Sequence, residues 1–514
     1  MQNEPEVATL DQKIATATIT SLEDIQADIA AIDNNSTRAV YIKQLAAKLK
    51  IPAKIIDADI DNLRQEAHQE SSNSQAVPSA SYPGLVDLAL HNGKPVYIEK
   101  VQNLLVDNEY YLDIEERHQN GDLILIPPPR KSLPFSLVNA DDVIDCYRKK
   151  PDTSLFRDVF SYFGKFSFLT MAQNLIITLY TFLSFIWDHP EIHYLAEIFF
   201  LGQAERGKSR TGKAFTNIAY RAIHLNGVKE ANIFRFSEDL NASLFVDVKD
   251  FEKQTNRNNC DDLFLGRYEK GARVPRVLYP DRGAFADTRY FDVYGVTVIV
   301  SNKRIGNILA TRTIPIIMQN KPGDYEQPTP VLGLPYKTRL TAWRAQMMDA
   351  PLPEVQQIEG VSGRLWDVAK PLLQICQMLC TEAIPTFHQY IKEVAAERAH
   401  DNSSTYEAQI VRVIRDLSPV DVQEWRLVTS VVVNTLNTDR TPEFYSHVGP
   451  MGKKLRGMGF TVKTINGKSV IFLNRDDFDV VLKQYGIDPM PERKQGTGNG
   501  GGDIVDDILN SIKK

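Results

Sequence analysis

The sequence predicts an α/β fold in which a central domain is flanked by smaller units. Residues 153–345 carry this prediction, because short apolar runs typical of buried strands alternate there with segments of helical periodicity. Residues 20–67 have apolar residues three and four positions apart, which predicts helices, and residues 82–150 have short β-rich runs bounded by Gly and Pro. Residues 441–486 combine a helical stretch with two strand-like runs, which predicts a separate small unit.

These patterns divide the chain into segments of different composition. The segments are an acidic helical region (1–69), a polar linker (70–81), a small β-rich accessory domain (82–150), the α/β core (151–345), a helical lid or connector (346–440), a winged-helix-like domain (441–490) and a Gly-rich linker with an amphipathic tail (491–514). Charge follows the division, since residues 1–70 are acidic whereas residues 446–475 contain basic but no acidic residues. A local basic block of this kind can bind a polyanion in a chain that is acidic overall.

Length and composition limit the classes of protein to consider. The chain has 514 residues, a formal net charge of −6 and four cysteines. This length fits about three domains, and the composition excludes collagen-like, coiled-coil and wholly disordered chains. The scattered cysteines do not form a disulfide scaffold. Cys376 and Cys380 could share a helix face, but no second pair completes a zinc set, so we interpret them as core residues.

Two features bear on location. The acidic, polar N-terminus has no charged region leading into an apolar stretch, so no signal peptide is expected. Residues 168–187 are apolar and long enough to span a bilayer, but they contain Gln173 and Asn174 and have no Lys or Arg at their C-terminal flank. A buried core helix explains this segment better than a membrane span. The sequence therefore predicts a cytoplasmic protein without a membrane segment.

The strongest motif is GQAERGKS at residues 202–209, which matches G-x-x-x-x-G-K-[ST] at every defined position. An apolar, strand-like run precedes it and a helical pattern follows, so backbone N–H groups at a helix N-terminus can wrap phosphates. Gly202 and Gly207 leave the backbone free of side chains. Lys208 is expected to reach the β- and γ-phosphates, and the Ser209 hydroxyl is expected to bind Mg²⁺. The sequence thus predicts a site for ATP and Mg²⁺.

A second carboxylate for the metal is expected about forty residues further on. Asp247 ends the apolar run at residues 244–246, the position at which a strand-end Asp meets Mg²⁺ beside a phosphate-binding loop. The acidic residue that commonly follows this Asp is replaced by Val248, and Asp250 is the nearest substitute for activating water. Other candidates for that role are Glu205 and Glu238. Nucleotide binding is therefore predicted more firmly than hydrolysis.

A third strand-like run, residues 295–301, ends at Asn302. An Asn at this place could orient the attacking water or sense the γ-phosphate. Arg312 follows shortly afterwards and is the candidate for an arginine finger that acts on a neighbouring subunit's γ-phosphate, with Arg304 in reserve. A solvent-exposed role is an equally good interpretation for either arginine.

Together, the loop, the segment IFRFSEDLNASLFVDVKDF, the strand VTVIVSN and the element ATRTIPI resemble the ATPase core of helicase-like replication proteins of phages, plasmids and other mobile elements. These proteins are similar to AAA+ and superfamily 3 ring helicases, and the resemblance covers residues 155–380. It implies a P-loop NTPase core of AAA+ type in a homo-oligomeric ring, often a hexamer, with ATP between subunits and DNA in the centre.

The resemblance also implies roles for individual residues. By position these are phosphate binding by Lys208 and Ser209, metal binding by Asp247, γ-phosphate sensing by Asn302 and the finger by Arg312. Val248 departs from the family's acidic pair, which leaves the efficiency of hydrolysis open.

The stretch at residues 266–295 interleaves basic and aromatic residues, the mixture that suits single-stranded DNA in a channel. Its basic residues include Arg267, Lys270, Arg273, Arg276 and Arg289, and its aromatic residues include Tyr268, Tyr279 and Tyr290. We take Arg273 and Arg276 as the leading candidates for DNA contacts. An exposed hairpin with scattered charges, or a subunit contact, explains the pattern equally well.

The basic C-terminal unit reads as a helix followed by a hairpin, because Asn466-Gly467 is a strong turn signal between two strand-like runs. This order resembles a winged helix. Its candidate DNA contacts are Lys453, Lys454, Arg456 and, on the wing, Lys468. Winged helices also bind proteins, so both ligands stay open. Residues 504–512 place apolar side chains on one helical stripe, which fits a partner-docking tail or a disordered one.

The leading interpretation is an ATP-dependent DNA motor, a replicative helicase of a mobile element that prefers single strands. A DNA-binding scaffold or initiator that binds ATP with weak or no hydrolysis is the second. A small-molecule phosphotransferase shares the loop but leaves the basic hairpin and the C-terminal unit unexplained.

Overall fold

A computed structural model of the chain describes residues 10–18, 21–30, 32, 35–61, 76–102, 109–121, 123–280, 283, 286–403, 405–420, 422–438 and 446–490. The predicted tail at 491–514 and residues 70–75 of the predicted linker at 70–81 lie outside these residues. The architecture is a mixture of helices and sheets around a parallel sheet, which confirms the α/β class. None of the helices within the described ranges is long and apolar enough to cross a membrane.

The N-terminal region is a small helical unit with its own hydrophobic cluster. Its helices are α1 (Leu10–Ala15), α2 (Leu22–Ala30), α3 (Asn35–Leu49) and α4 (53–61). Ile29, Leu45 and Ile56 are fully buried at the centre of the cluster. Within each helix the apolar residues recur at three- and four-residue spacing. This spacing puts them on one face of the helix, and these faces pack together.

The β-rich region builds two small sheets, with strand orders β4-β3-β2-β7 and β1-β6-β5. Its elements are β1 (Val77–Pro78), β2 (Leu85–His91), β3 (Lys94–Gln102), β4 (Tyr110–Glu115), β5 (His118–Asn120), β6 (Leu123–Ile126), β7 (Val138–Asn139) and α5 (Ala140–Arg148). It shares hydrophobic clusters with the central domain. A buried ion pair between Asp87 and Arg221, 2.7 Å long, joins the two regions.

The central domain contains a five-stranded, all-parallel sheet with the order β14-β8-β13-β10-β9. Its elements are α6 (Leu155–Gly164), α7 (Met171–Phe185), β8 (Glu197–Leu201), α8 (Lys208–Ile218), β9 (Ile223–Leu225), α9 (Glu230–Phe234), β10 (Leu244–Asp247), α10 (Phe251–Arg257), α11 (Asp261–Gly266), β11 (Arg273–Val277), β12 (Thr288–Asp292), β13 (Thr297–Ser301), α12 (Asn307–Ala310), β14 (Thr313–Ile317), α13 (Pro330–Met347), α14 (Arg364–Leu379) and α15 (Ile384–Ser403).

Both faces of this sheet are buried, which explains the continuous apolar runs of its strands. Along β8, Ile198 and Phe200 belong to the cluster on one face, whereas Phe199 belongs to the cluster on the other. Helix α7 lies in the first cluster with nearly all of its side chains buried, including Gln173 and Asn174. The apolar segment 168–187 is therefore part of the core.

The C-terminal unit has the chain order helix, strand, helix, helix, strand, strand, helix. Its elements are α16 (Tyr406–Asp416), β15 (Glu424–Val428), α17 (Thr429–Asn437), α18 (Val448–Gly457), β16 (Thr461–Ile465), β17 (Lys468–Asn474) and α19 (Arg475–Gln484). They share one hydrophobic cluster that begins at Ala408. The unit therefore starts before residue 441, and the segment 346–440 divides: α14 and α15 belong to the core cluster, and α16 and α17 to this unit.

Candidate functional site

The predicted phosphate-binding loop connects β8 to α8 at the carboxyl edge of the parallel sheet. Gly207 precedes the helix with φ at 81°, in the left-handed region. A Cβ on Gly207 would lie 3.0 Å from the Cβ of Ser167. Both the backbone conformation and the lack of space therefore require glycine here. The result is a loop that leads into the N-terminus of α8 and lines the open space in front of it.

Close packing of α8 on the sheet fixes the position of its N-terminus relative to the strand ends. A Cβ added at Gly212, in the second turn, would lie only 2.0 Å from the ring of Phe245 on β10. Glycine lets the helix axis approach the strand, and the hydroxyl of Thr211 lies 2.6 Å from that of Ser167 beneath the loop. The positive end of the helix is thus held over the strand ends, which is the arrangement that favours bound anions.

Lys208 is folded back into the loop. Its ammonium donates to the carbonyl oxygen of Gly202 at 2.7 Å and to that of Gln203, and the residue is 6% exposed. Burial lowers the pKa of Lys208, and the nearby Arg206 lowers it further. An anion in the loop would oppose both effects, because a nearby negative charge favours the protonated amine.

A cleft of about 950 Å³ opens in front of the loop. The parallel strands β8, β10, β13 and β14 all end at this edge, so the residues that follow them meet there. The cleft is lined by six of the residues predicted for nucleotide binding and catalysis, but not by Gly202 or Arg312; the six are Gly207, Lys208, Ser209, Asp247, Asp250 and Asn302. Because β13 lies between β8 and β10, Asn302 follows the strand between the one that leads to the loop and the one that carries Asp247.

The donor set in the cleft suits a hard divalent cation. Ser209 supplies a hydroxyl oxygen and Asp247 a carboxylate, and both line the same cavity. Mg²⁺ is usually held by one or two such protein oxygens together with substrate phosphates and waters. Two protein ligands beside a phosphate-binding loop therefore fit Mg²⁺ bound together with a nucleotide.

The groups available to activate water differ in their surroundings. Val248, at the position where an acid is common, is 6% exposed and packs in a hydrophobic cluster. Asp250 lies in the cleft, and its carboxylate pairs with the ammonium of Lys303 at 3.2 Å. Glu205 also lines the cleft, whereas Glu238 pairs with Arg289 outside it. Of the candidates for activating water, Asp250 and Glu205 line the cleft.

One wall of the cleft comes from residues whose role the sequence did not indicate. The connection from β14 to α13 contributes residues 319–323 and Tyr325, and the segment before α7 contributes Phe166 and Phe168. The ammonium of Lys321 lies 4.2 Å from the centre of the Phe168 ring. Phe166 is fully buried, whereas Phe168 and Tyr325 are partly exposed and offer a surface on which a nucleobase can stack.

His224 on β9 is a further neighbour that the motif search missed. Its Nε2 lies 3.9 Å from the Oδ2 of Asp247 and is buried, without a hydrogen-bond partner in the described part of the chain. The ring stacks on Phe245 at 4.7 Å, and burial lowers the pKa of His224. A neutral imidazole therefore stands beside the predicted metal carboxylate.

Arg312 lies at the opposite edge of the sheet, at the start of β14, and does not line the cleft of its own chain. Its guanidinium packs 4.5 Å from the centre of the Tyr268 ring and donates to the carbonyl oxygen of Ile308 at 2.8 Å. Arg304, the reserve candidate, pairs with Glu397 and Asp401.

The predicted DNA hairpin is present as β11 and β12, but much of its charge is used within the chain. Arg276 pairs with Glu230 and Asp262, and Arg289 pairs with Glu238. Arg273 is exposed. The hairpin also exposes the apolar or aromatic side chains of Val277, Leu278, Tyr279 and Tyr290.

The interpretation of Arg267 and Tyr268 as exposed DNA-contacting residues is wrong. Arg267 is fully buried and donates to three backbone carbonyl oxygens and to the hydroxyls of Ser237 and Thr297. Tyr268 is 8% exposed and belongs to the core cluster. The reason is tertiary: the guanidinium satisfies buried carbonyl groups in the loops that precede β10 and β13.

In the C-terminal unit, the four basic residues predicted to contact DNA differ in exposure and in their partners within the chain. Lys453 and Lys468 are exposed, on α18 and at the start of β17. Lys454 pairs with Glu407 of α16 at 2.5 Å, and Arg456 lies 3.5 Å from the carbonyl oxygen of Val462. The basic face of α18 is therefore smaller than its sequence suggests.

No protein-family model and no curated protein matches the chain. Among solved structures, the chain is similar to "SCCmec type IV Cch - active helicase", at 13% sequence identity and a TM-score of 0.32, with 89% of each chain covered. A likeness this distant carries no functional argument, so the function rests on the geometry of the cleft.

Proposed function

We propose that this chain is an ATP-dependent motor on DNA with a P-loop ATPase core, acting as a replicative helicase of the kind that mobile elements encode. The observation that carries the proposal is the cleft at the carboxyl edge of the parallel sheet, where the loop, the N-terminus of α8, Asp247 and Asn302 meet. This combination suits a nucleoside triphosphate bound through its phosphates.

Lys208 changes partners when phosphates bind. Its ammonium now donates to two neutral carbonyl oxygens of the loop, and a phosphate oxygen in the same space replaces them with a charged acceptor. Charge-assisted hydrogen bonds of this kind are about twice as strong as neutral ones. Backbone N–H groups around Gly207 and at the start of α8 hold the remaining phosphate oxygens.

Ser209 and Asp247 would hold Mg²⁺ together with the phosphates. The bound metal would supply positive charge that neutralises the phosphate oxygens. Asn302, which lies at the same strand edge, would orient a water or sense the γ-phosphate. Asp250 would accept a proton from that water once its carboxylate leaves Lys303. These roles require no movement of the sheet.

The proposed DNA contacts lie away from the cleft. The β11–β12 hairpin exposes Tyr279, Tyr290 and Arg273, a mixture that suits base stacking and phosphate contacts with a single strand. The element order of the C-terminal unit fits a winged helix with Lys453 on the helix and Lys468 on the wing.

Arg312 supports assembly into a homo-oligomeric ring. It lies at the sheet edge opposite to the cleft of its own chain, so in this conformation it cannot reach its own nucleotide. A finger in that position would serve a neighbouring subunit, and it would first have to leave the ring of Tyr268.

A scaffold or initiator that binds ATP and DNA without efficient hydrolysis is the second candidate. Two observations favour it: Val248 is apolar and buried where an acid is common, and Asp250 is occupied by Lys303. In that case ATP would bind and order the chain on DNA, with little turnover.

ATP turnover with and without single-stranded oligothymidylate tests the proposal, using Lys208→Ala and, as a matched control, the exposed Lys213→Ala on the same helix. DNA-stimulated turnover that Lys208→Ala abolishes and Lys213→Ala retains is the expected result. Tight ATP binding without turnover, on DNA or off it, would favour the scaffold. Turnover that survives Lys208→Ala would refute the site itself.

A further inference from the structure

The sheet of the C-terminal unit has one face that its own helices do not use. Strand β17 is central, with β15 and β16 on either side. Trp425, Leu427, Ile471 and Leu473 point to the helices and are buried in the hydrophobic cluster. Because side chains alternate along a strand, the residues between them point to the opposite side. We call that side the outer face and define it by Arg426, Lys463 and Phe472.

One aromatic ring on the outer face lies between two cations. The guanidinium carbon of Arg426 lies 5.0 Å from the centre of the Phe472 ring, and the ammonium of Lys463 lies 5.4 Å from it. Strand register produces this arrangement, since Arg426 is directly opposite Phe472 on β15, and Lys463 lies diagonally from it on β16. At exposed positions such cation–π contacts are weak, so a ligand can displace them.

The outer face carries a net positive charge. Within β15, β16 and β17 the basic residues are Arg426, Lys463 and Lys468, and the acidic residue is Glu424. No salt bridge involves Arg426 or Lys463 among the residues that the structure describes, in contrast to Lys454 on α18. The outer face therefore has charge left for an anionic ligand.

We propose that the outer face binds single-stranded nucleic acid, with one base stacked on Phe472 and the neighbouring phosphates held by Arg426 and Lys463. A partly exposed aromatic ring next to basic side chains is the unit that single-strand-binding surfaces repeat. A duplex has its bases stacked inside and cannot offer one to the ring. The proposal extends the proposed function by adding a second single-strand contact, and it rests on that function only in taking nucleic acid as the ligand.

Photo-crosslinking of the full chain tests the proposal without any substitution. The probe is an oligothymidylate that carries 5-bromodeoxyuridine, and the crosslinked peptide is identified by mass spectrometry. We expect a crosslink within β17 at or beside Phe472. Crosslinks found only on the β11–β12 hairpin or on α18 would overturn the proposal.

Matched variants of the full chain then measure the contribution of the outer face. Phe472→Leu keeps an apolar side chain but removes the ring, and we expect it to weaken binding of fluorescein-labelled oligothymidylate about tenfold, the loss typical of one stacked base. Phe472→Tyr keeps the ring and should retain wild-type affinity. Arg426→Ala combined with Lys463→Ala should weaken binding and lower its salt dependence.

The outcomes separate this proposal from the proposed function. Loss of single-strand affinity in Phe472→Leu, with ATP turnover of the free protein unchanged, supports the outer face. Equal losses for single-stranded and duplex DNA would overturn it, because only the single strand can stack a base on the ring. Wild-type affinity in both Phe472→Leu and the double variant would also overturn it. Failure of ATP turnover in the wild-type chain would contradict the motor and leave the crosslinking result intact.

Discussion

The cleft and the β11–β12 hairpin both carry cationic side chains, but those cations have different partners. In the cleft, Lys208 donates only to neutral carbonyl oxygens at the edge of open space. In the hairpin, Arg276 pairs with Glu230, and Arg289 pairs with Glu238. The charge of Lys208 is therefore available for an anion, whereas much of the charge in the hairpin is already neutralised. Whether a cationic side chain can bind a ligand or instead stabilises the fold therefore depends on the groups that surround it.

Arg267→Met should have the largest effect on stability. Arg267 is fully buried, and its guanidinium donates hydrogen bonds to protein groups that hold the fold together. Its removal leaves four buried acceptors without a donor, since the carbonyl oxygen of Val296 also accepts from the backbone N–H of Leu244. It also takes away the stronger of the two cationic influences on Glu197, the other being Arg312. We expect the free energy of unfolding to fall by about 3–5 kcal/mol, measured by urea denaturation. Arg273→Met, on the exposed hairpin, is the control and should change it by less than about 0.5 kcal/mol. Similar stability for both variants would refute the structural role.

Asp250→Asn tests the cleft side of the comparison. The amide keeps the shape of the side chain but cannot accept a proton, so we expect kcat for ATP to fall about a hundredfold with ATP affinity retained. Glu205→Gln, in the same cleft, is the matched control and should retain turnover. Wild-type kcat in Asp250→Asn, with loss in Glu205→Gln, would reverse the two assignments.

The pH dependence of stability tests the effect of burying Glu197, which lies at the sheet edge opposite to the cleft. Burial raises the pKa of Glu197 to about 8 from an ordinary value of 4.5. Between these two pKa values the folded chain keeps a proton that the unfolded chain has lost. The stability that this proton contributes is complete below the pKa of the unfolded chain, and it is lost as the pH rises through the pKa of the folded chain. The free energy of unfolding should therefore decrease by up to about 1.4 kcal/mol per pH unit in that window.

Glu197→Gln, which resembles the protonated carboxyl, should remove this decrease. The measurement is the difference in melting temperature between variant and wild type, followed from about pH 5 to about pH 8, because other titrating groups cancel in the difference. The variant should gain relative stability as pH rises. A difference that stays constant with pH would show that Glu197 titrates normally in the folded chain.

The residues that meet in the cleft could be inferred from the sequence because they belong either to one contiguous loop or to the ends of parallel strands. Residues 202–209 are contiguous, and their glycines have conformational and steric reasons that any chain with this loop would share. Asp247 and Asn302 follow apolar runs, and parallel strands that end at one edge bring such residues together. The separation along the chain does not matter once the strands are parallel.

Other parts of the site could not be predicted, because they depend on tertiary neighbours. Phe168 and residues 319–323 form one wall of the cleft, but they lie in irregular connections without a motif. Arg267 has the same residue type as Arg273 and lies six positions away, and only the fold shows that it is buried. Pattern alone likewise could not show that α16 and α17 pack with the C-terminal unit rather than with the core.

Arg273 and Arg276 give the finest test of the comparison, since they lie three residues apart on one strand. Arg273 is exposed, whereas Arg276 is held by Glu230 and Asp262. We expect Arg273→Ala to weaken single-strand binding about fivefold and to reduce the salt slope by about one, as for the loss of one phosphate contact. Arg276→Ala should leave the salt slope unchanged, because its charge is already neutralised within the chain. Fluorescence anisotropy titrations over a range of salt concentrations measure both effects. Equal slopes for the two variants would mean that the ion pairs of Arg276 open on DNA, and the hairpin would then resemble the cleft in offering its cations to a ligand.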